Sequence, residues 1–173
     1  MAGLTMAGIA RRLGVAPPSL YKYFDSLLDI YDALFRRGQE QNLHVLTTAV
    51  ESAEAGLPAR EAGLVATLRW AWDNPVLAQL LFWRPIPGYQ PTDDAFAPAV
   101  GIVKILKGTL RQASRRGQIG ARAASDHALA VLSVLHFGLL SQHLANEPGV
   151  AWEDSAYARL LPQLIAMFVA TYP

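Results

Sequence analysis

The residues whose chemistry best suits nucleic acid lie within positions 1–24 of the chain. Basic side chains occur there without any acidic one, at Arg11, Arg12 and Lys22. A local charge of about +3 favours contact with phosphate groups, although the 173-residue chain has a formal net charge of only +1. Side chains that can bond phosphate oxygens or base edges follow at Ser19, Tyr21, Lys22 and Tyr23. This pattern predicts a surface that faces nucleic acid.

Two short helices are predicted to carry this surface. Thr5 can cap the first helix, and Gly14 is suited to end it. Pro17 and Pro18 fit the first turn of a second helix that ends near Phe24. Helices at this spacing are typical of a helix-turn-helix, whose second helix enters the major groove of DNA. An ordinary helical corner, with half-buried tyrosines and solvated arginines, would give the same pattern.

Helical periodicity continues along the rest of the chain, and no stretch alternates polar and apolar residues for long enough to indicate a strand. We therefore predict an all-α fold. The later helices are expected at 27–54, 58–73, 76–83, 96–116, 125–145 and 152–171. In the first of these, the apolar stripe is predicted at Leu28, Tyr31, Leu34 and Phe35. The pair Asp93 and Asp94 is expected to cap the helix at 96–116, and Pro162 to kink the last helix or delay its start.

The composition excludes several classes of protein. Hydrophobic residues make up 52% of the chain and charged residues 17%, which is too apolar for a disordered protein. The absence of cysteine excludes disulfides, cysteine-based zinc sites and thiol nucleophiles, and we expect a cytoplasmic protein. The longest apolar run, 128–140, falls short of a membrane span. So large an apolar fraction suggests that a second subunit or a ligand covers one face.

The N-terminal motifs resemble those of the tetracycline-repressor (TetR) family of bacterial transcriptional regulators. The resemblance covers residues 3–35 and rests on Gly3-Leu4-Thr5, Ile9-Ala10, Leu13-Gly14-Val15, Ser19-Leu20-Tyr21 and Tyr23-Phe24. It implies an all-α homodimer with a helix-turn-helix DNA-binding domain, here 1–45, and a larger domain for effector binding and dimerisation, here 46–173. It also implies that Thr5 contacts phosphate, and that the recognition surface comprises Pro17, Pro18, Ser19, Tyr21, Lys22 and Tyr23.

Two departures from the family pattern bear on DNA binding. Leu27 stands where the family usually has a phosphate-binding lysine, although the dipole of the following helix remains available. The family also has a further helix before the Gly-Leu-Thr, whereas this chain begins at Met1-Ala2-Gly3. A start upstream, a truncation or a real loss would explain this. We expect weakened or absent DNA binding and a poorly ordered motif, because Leu13, Leu20, Phe24, Tyr31 and Phe35 would lack a packing partner.

Aromatic residues in the second domain are candidates to line an effector pocket. The expected ligand-binding residues are Trp70, Phe82, Trp83, Tyr89, Phe96, His136 and Phe137. Polar groups could come from Arg69, His136, Gln142 and His143. The alternative is that this aromatic stripe is plain hydrophobic core, and that a lone histidine on an apolar face is a satisfied core residue.

The last two helices are predicted to form a dimer interface. Their leucines are more numerous than one covered face requires, and the expected interface residues are Leu132, Leu135, Leu139, Leu161, Leu164 and Phe168. Paired with their symmetry mates, these helices would make a four-helix bundle. The alternative is that both helices are buried inside a monomer.

The function predicted from these features is a DNA-binding transcriptional regulator, acting as a ligand-responsive repressor on a palindromic operator in double-stranded DNA. Its expected effector is small and hydrophobic. We expect no enzyme activity, no cofactor, no metal and no membrane partner, because the chain has none of the common catalytic or nucleotide-binding motifs. Two alternatives remain: a ligand-binding or scaffolding homodimer with a vestigial DNA-binding module, and an α-helical enzyme.

Overall fold

The computed structural model describes residues 4–173, so Gly3 of the Gly-Leu-Thr motif and the preceding Met1-Ala2 lie outside it. Within 4–173 the chain forms helices and no strand, which confirms the predicted all-α class. The α-helices are α1 (Met6–Leu13), α2 (Pro17–Tyr21), α3 (Leu27–Ser52), α4 (Leu57–Asp73), α5 (Pro75–Trp83), α6 (Asp93–Arg115), α7 (Asp126–Asn146) and α8 (Leu161–Thr171). Two short 3₁₀ turns precede α7 and α8, at Ala121–Ala124 and Ala158–Leu160.

Local capping explains the boundaries at the N-terminal end. The Thr5 hydroxyl oxygen accepts the Gly8 N–H at 3.0 Å and begins α1. Gly14 ends α1 in the left-handed region, with φ 69°. Helix α3 opens on a capping box, in which Ser26 and Asp29 each accept the other's backbone N–H.

The N-terminal helices pack onto the first turns of α3. Met6, Ala10 and Leu20 form a small buried cluster, against which Leu27 and Ile30 of α3 pack. Helix α3 then continues without a break through the expected domain boundary at 45/46 and packs along α4 and α6. One helix therefore joins the N-terminal pair to the rest of the molecule.

Two apolar clusters fill the larger part of the fold. Phe35, Leu68 and Leu140 are fully buried in the first, which gathers side chains from α3, α4, α5, α7 and α8. Leu110 and Phe168 belong to the second, beneath α6, α7 and α8. Tyr31 and Phe35 of the predicted stripe on α3 are buried, whereas Leu28 and Leu34 are 49% and 37% exposed, so this part of the prediction was wrong. The described chain packs little against that side of α3.

Two predicted helix starts were also wrong. The N-cap of α6 is Thr92, whose hydroxyl accepts the Ala95 N–H, while Asp93 and Asp94 occupy the first turn. The last α-helix begins only at Leu161, because Pro162 takes the first turn, where its missing N–H does no harm. Pro162 therefore delays the helix, which is one of the two predicted outcomes.

Candidate nucleic-acid interface and effector cavity

The recognition residues predicted from the sequence lie on and directly after α2. Pro17, Pro18 and Lys22 are exposed, and Tyr21 and Tyr23 are 52% and 80% exposed. Ser19 is half-buried, and Leu20 anchors the opposite face of α2 in the N-terminal cluster. The helix thus presents phenol, ammonium and hydroxyl groups outward. Their contact with DNA remains a prediction.

The Thr5 side chain is compatible with the phosphate contact implied by the family. Its oxygen accepts the Gly8 N–H, so the hydroxyl hydrogen remains available to donate to a phosphate oxygen. Arg11 and Arg12 are exposed in the last turn of α1. The helix pair therefore carries the positive charge on its surface, as the sequence pattern indicated.

The N-terminus of α3 is less available to an anion than the sequence indicated. The Asp29 carboxylate accepts the Ser26 N–H at 2.8 Å, which places a negative charge beside the first turn. Leu27 adds no compensating cation. A phosphate approaching this helix end would have to compete with a carboxylate of the chain itself.

Of the five apolar residues expected to lack a packing partner, three are buried within the described chain. Leu20 is 8%, Tyr31 9% and Phe35 0% exposed. Phe24 is half-buried, and Leu13 is 63% exposed. Helices α1 and α2 are formed and packed on α3, so the expected lack of a packing partner was wrong for Leu20, Tyr31 and Phe35. The expected weakening or loss of DNA binding remains a prediction.

A cavity of about 520 Å³ lies among α3, α4, α5, α6 and α7. Its volume falls within the range of small-molecule sites. Five of the seven predicted ligand-binding residues line this cavity, namely Phe82, Trp83, Phe96, His136 and Phe137. The structure brings them together, and their contact with a ligand remains a prediction.

Trp70 and Tyr89 do not line the cavity, so their predicted place was wrong. Both are buried in the first apolar cluster, and Trp70 Nε1 donates to Gln41 Oε1 at 3.3 Å. Tyr89 Oη lies 3.1 Å from the Asp32 carboxylate, in the loop before α6. Burial and this hydrogen bond both raise the pKa of the Tyr89 phenol. Each residue is held by polar partners away from the cavity.

The polar groups of the cavity differ from those predicted, apart from His136. Arg60 is only 4% exposed, and its Nε and Nη1 have no hydrogen-bond partner within the described chain. Asn42 Oδ1 and His136 Nδ1 are likewise buried and without a partner. Burial lowers the pKa of Arg60 to about 10, so it stays charged at neutral pH. Burial and the charge of Arg60 lower the pKa of His136 to about 3, so its ring stays neutral.

The other polar candidates lie elsewhere. His143 stacks on Trp72 with ring centroids 3.7 Å apart, Arg69 pairs with Glu153, and Gln142 bonds Asn146. Arg60 was not among the predicted residues, although it lies four and seven residues before Leu64 and Thr67, on the same face of α4. An arginine on an otherwise apolar helix face was the available signal.

The predicted dimer residues mostly face inward. Leu132, Leu139, Leu161 and Phe168 are buried within the monomer, so these four predictions were wrong as interface contacts, while Leu135 and Leu164 are half-buried. The outward faces of α7 and α8 instead carry Val134, 71% exposed, Met167, 54% exposed, and the exposed Gly138. Apart from its chain neighbours and the backbone of its own helix, no atom of the described chain lies within 4 Å of where a side chain at Gly138 would begin. The side chains differ from those predicted because the two helices use their leucines to cover the monomer core.

By length and composition alone, helix α7 is apolar enough to cross a membrane. The apolar run 128–140 within it was judged too short for this from the sequence. The helix has 21 residues, and an 18-residue stretch within it has a mean hydropathy of 1.5 and is 33% buried. Ser133 and His136 of this helix line the cavity, and its other faces cover the apolar core. These contacts are those of a packed helix in a globular fold.

A helix-turn-helix joined by one long helix to a larger helical body defines a class of DNA-binding regulators. Comparison with known families gives the same answer. Residues 1–34 match the family described as bacterial regulatory proteins, tetR family, and residues 61–168 match the tetracyclin repressor-like, C-terminal domain. The chain belongs to the TetR family of bacterial transcriptional regulators, and these domains are those of a DNA-binding regulator rather than of an enzyme.

Two solved structures share the fold. A protein of unknown function from Rhodococcus sp. RHA1 is 21% identical with a TM-score of 0.78, over 98% of this chain and 85% of its own. The second, described as "Crystal structure of putative regulatory protein SCO4313", is 24% identical with a TM-score of 0.72, over 96% of this chain and 85% of its own. At these identities the likeness concerns the fold alone. No curated protein matches the chain significantly in sequence.

Proposed function

We propose that the protein is a cytoplasmic, dimeric, ligand-responsive repressor that releases a palindromic operator when a small molecule fills the cavity. The observation that carries this proposal is that α3 serves both sites. Gln39 and Asn42 of α3 line the cavity, and Leu27 at the start of the same helix packs against α1 and α2, which we call the reading helices. Leu27 and Gln39 are separated by about 18 Å along a continuous helix. A shift of α3 at the cavity therefore moves the reading helices.

A second connection runs through the start of α6. Asp32 of α3 accepts hydrogen bonds from the Thr92 N–H at 2.9 Å and the Thr92 hydroxyl at 2.7 Å. Thr92 caps α6, which supplies Phe96 and Ile102 to the cavity wall. A ligand that displaces α6 would thus pull on α3 near the reading helices. This coupling is effective only if the ligand binds the two arrangements with different affinity.

The outward faces of α7 and α8 support a dimer. Val134, Gly138 and Met167 leave apolar surface and close-approach space uncovered by the described chain. A two-fold pair of such helices would form a four-helix interface. The two copies of α2 related by that axis would suit half-sites about 34–36 Å apart on a palindromic operator.

The experiment that tests the DNA-binding part is selection of binding sites from a pool of random duplex DNA. We expect the protein to enrich a palindrome, and the Tyr21→Ala, Lys22→Gln double variant to lose this enrichment. Lys104→Gln, which removes an exposed lysine on α6, is the matched control and should select the same palindrome. Enrichment of no sequence, or of a site without two-fold symmetry, would contradict the proposal.

One observation favours a second candidate function, a ligand-binding dimer whose DNA-binding module is vestigial. The start of α3 carries Leu27 and the capping carboxylate of Asp29, where a cation would aid phosphate binding. In that case the selection would enrich nothing, while ligand binding and the dimer would persist. The same experiment therefore separates the two candidates.

A further inference from the structure

We propose that the cavity takes an amphipathic carboxylic acid, whose carboxylate pairs with the buried guanidinium of Arg60 while its apolar body lies against the aromatic wall. This inference rests on the proposed effector role of the cavity and adds the chemical class of the ligand. Its basis is the set of polar groups that the fold buries in the cavity and leaves without partners.

Arg60 is the first of these groups. It is buried on α4, and none of the ion pairs within residues 4–173 includes it. Its Nε and Nη1 have no hydrogen-bond partner in the described chain. A buried charge is normally paired, and the planar guanidinium offers donors whose spacing fits the two oxygens of a carboxylate.

The charge of the lining determines the sign of the ligand. The described residues around the cavity include Arg60 and the exposed Arg84, and they include no Asp or Glu. A cationic ligand would meet repulsion and no counter-charge. A neutral apolar ligand would leave the donors of Arg60 unpaired. An anion satisfies them.

Two other polar side chains of the lining are already hydrogen-bonded within their own helices. Thr67 Oγ1 already donates within α4 to Gly63 and Leu64 carbonyls, and Ser133 Oγ donates to the Leu129 carbonyl. Only Asn42 Oδ1 and His136 Nδ1 join Arg60 as buried atoms without partners in the cavity lining. The rest of the wall is mainly aromatic and aliphatic, including Phe82, Phe96 and Phe137. A carboxylate head with an apolar body matches this division.

The test compares matched acids and amides, because a primary amide keeps the shape of its acid and lacks the charge. The probes are hexanoate, decanoate, hexadecanoate and 2-naphthoate, each with its amide, titrated calorimetrically into the full chain. We expect at least one acid to bind about 30-fold more tightly than its amide, since a hydrogen-bonded charge pair is lost in the amide. Arg60→Gln should reduce this ratio to near 1 while leaving the amide's affinity within a few-fold.

Arg111→Gln is the matched control, because it removes an exposed arginine of α6 that does not line the cavity, and it should keep the preference for the acid. Arg84→Gln, at an exposed position of the lining, should reduce the preference less than Arg60→Gln does. Arg60→Lys keeps the charge without the planar fork and should keep part of the preference, which also guards against misfolding of Arg60→Gln. The inference is overturned if no acid binds more tightly than its amide. It is also overturned if Arg60→Gln keeps the preference or if Arg84→Gln alone abolishes it.

Operator release is measured separately, so that the two proposals can fail independently. An amide that releases the operator as well as its acid does would overturn the ligand class and leave the regulator intact. An acid that binds through Arg60 without releasing the operator would support the ligand class and contradict the effector role of the cavity.

Discussion

The polar groups of the reading helices and those of the cavity differ in their exposure to solvent. On the reading side, Tyr21, Lys22 and Tyr23 are exposed to solvent, where charges and hydroxyls are stable without a protein partner. In the cavity, Arg60 and Asn42 are buried and hold atoms without partners. The reading surface is therefore stable without DNA. The unpaired buried groups of the cavity, in contrast, lower the stability of the protein until a ligand pairs with them.

This difference determines where substitutions and ligands should have large effects on free energy. Removing an exposed contact weakens DNA binding but leaves the fold unchanged, because water replaces the lost partner. A ligand that satisfies buried groups stabilises the arrangement to which it binds. We therefore expect the larger energetic effects at the buried sites and the smaller ones at the exposed reading surface, with the dimer interface between copies outweighing both.

The largest effect is expected for Val134→Glu. If the outward face of α7 meets its symmetry mate, two buried carboxylates without partners would weaken the dimer by about 100-fold or more. Sedimentation velocity at micromolar concentration measures the change. Val76→Glu is the matched control, since Val76 is 79% and Val134 71% exposed in the monomer. An unchanged sedimentation coefficient for Val134→Glu would place the dimer interface elsewhere.

Asp32→Asn is expected to break the connection between the two regions. The variant cannot accept both hydrogen bonds from Thr92, so α6 and α3 should move more independently. We expect ligand and operator each to bind with nearly normal affinity, while the ligand's effect on operator affinity falls about tenfold. Asp73→Asn, at an exposed aspartate ending α4, should leave that effect unchanged. Full coupling in Asp32→Asn would show that the signal travels through α3 alone.

The pKa of Asp32 also gives this contact a pH dependence. Burial raises the pKa, but the hydrogen bonds from Thr92 and Tyr89 outweigh it and leave the pKa below its usual value of 3.8. A lowered pKa in the folded state stabilises the protein above pH 3.8, and this contribution is lost as the pH falls through the folded-state value. As the pH falls, the free energy of unfolding should therefore decrease less for Asp32→Asn than for the wild type.

Arg60→Met tests whether the unpaired guanidinium of Arg60 destabilises the ligand-free protein. Replacing a buried cation without partners by an apolar side chain should stabilise the ligand-free protein by about 1 kcal/mol, or about 2–4 °C in Tm. Thermal unfolding followed by circular dichroism measures this change. Arg111→Met removes an exposed arginine of α6 and should leave Tm within about 1 °C. A lower Tm for Arg60→Met would mean that Arg60 supports the fold without a ligand.

Lys22→Gln should have the smallest effect. If Lys22 contacts a phosphate, the magnitude of the slope of log affinity against log salt concentration should decrease by about 1 for each chain bound. The sequence preference should change little. Lys104→Gln serves again as control and should keep the slope. A change in preferred sequence at unchanged slope would instead assign Lys22 to a base edge.

The N-terminal helices could be predicted from the sequence because their signals are local. Thr5, Gly14, Pro17 and Ser26 each act within a few residues of their own position. The start of α8 was harder to place, since residues 152–160 are apolar enough for a helix but form turns held by Glu147, which accepts the Ser155 hydroxyl. That contact joins residues from separate segments, and periodicity cannot show it.

The cavity was predicted only in part for the same reason. Aromatic character indicated Phe82, Phe96 and Phe137, but it also indicated Trp70, which the fold directs into the core instead. Arg60 was missed because its burial depends on how other helices pack against α4, which the local sequence does not show. In the dimer prediction, the leucines of α7 and α8 could be counted from the sequence, but which of them face inward depends on how α4 and α6 pack against α7 and how α7 packs against α8.

The central claim is that a ligand in the cavity and an operator on the reading helices exclude each other in a dimer. Native mass spectrometry of the protein–operator complex, titrated with the tightest-binding acid, tests this most directly. The account predicts two chains per operator, and predicts that acid-bound dimers appear free of DNA as the complex disappears. Acid-bound dimers that remain on the operator, or a single chain carrying the DNA, would contradict it.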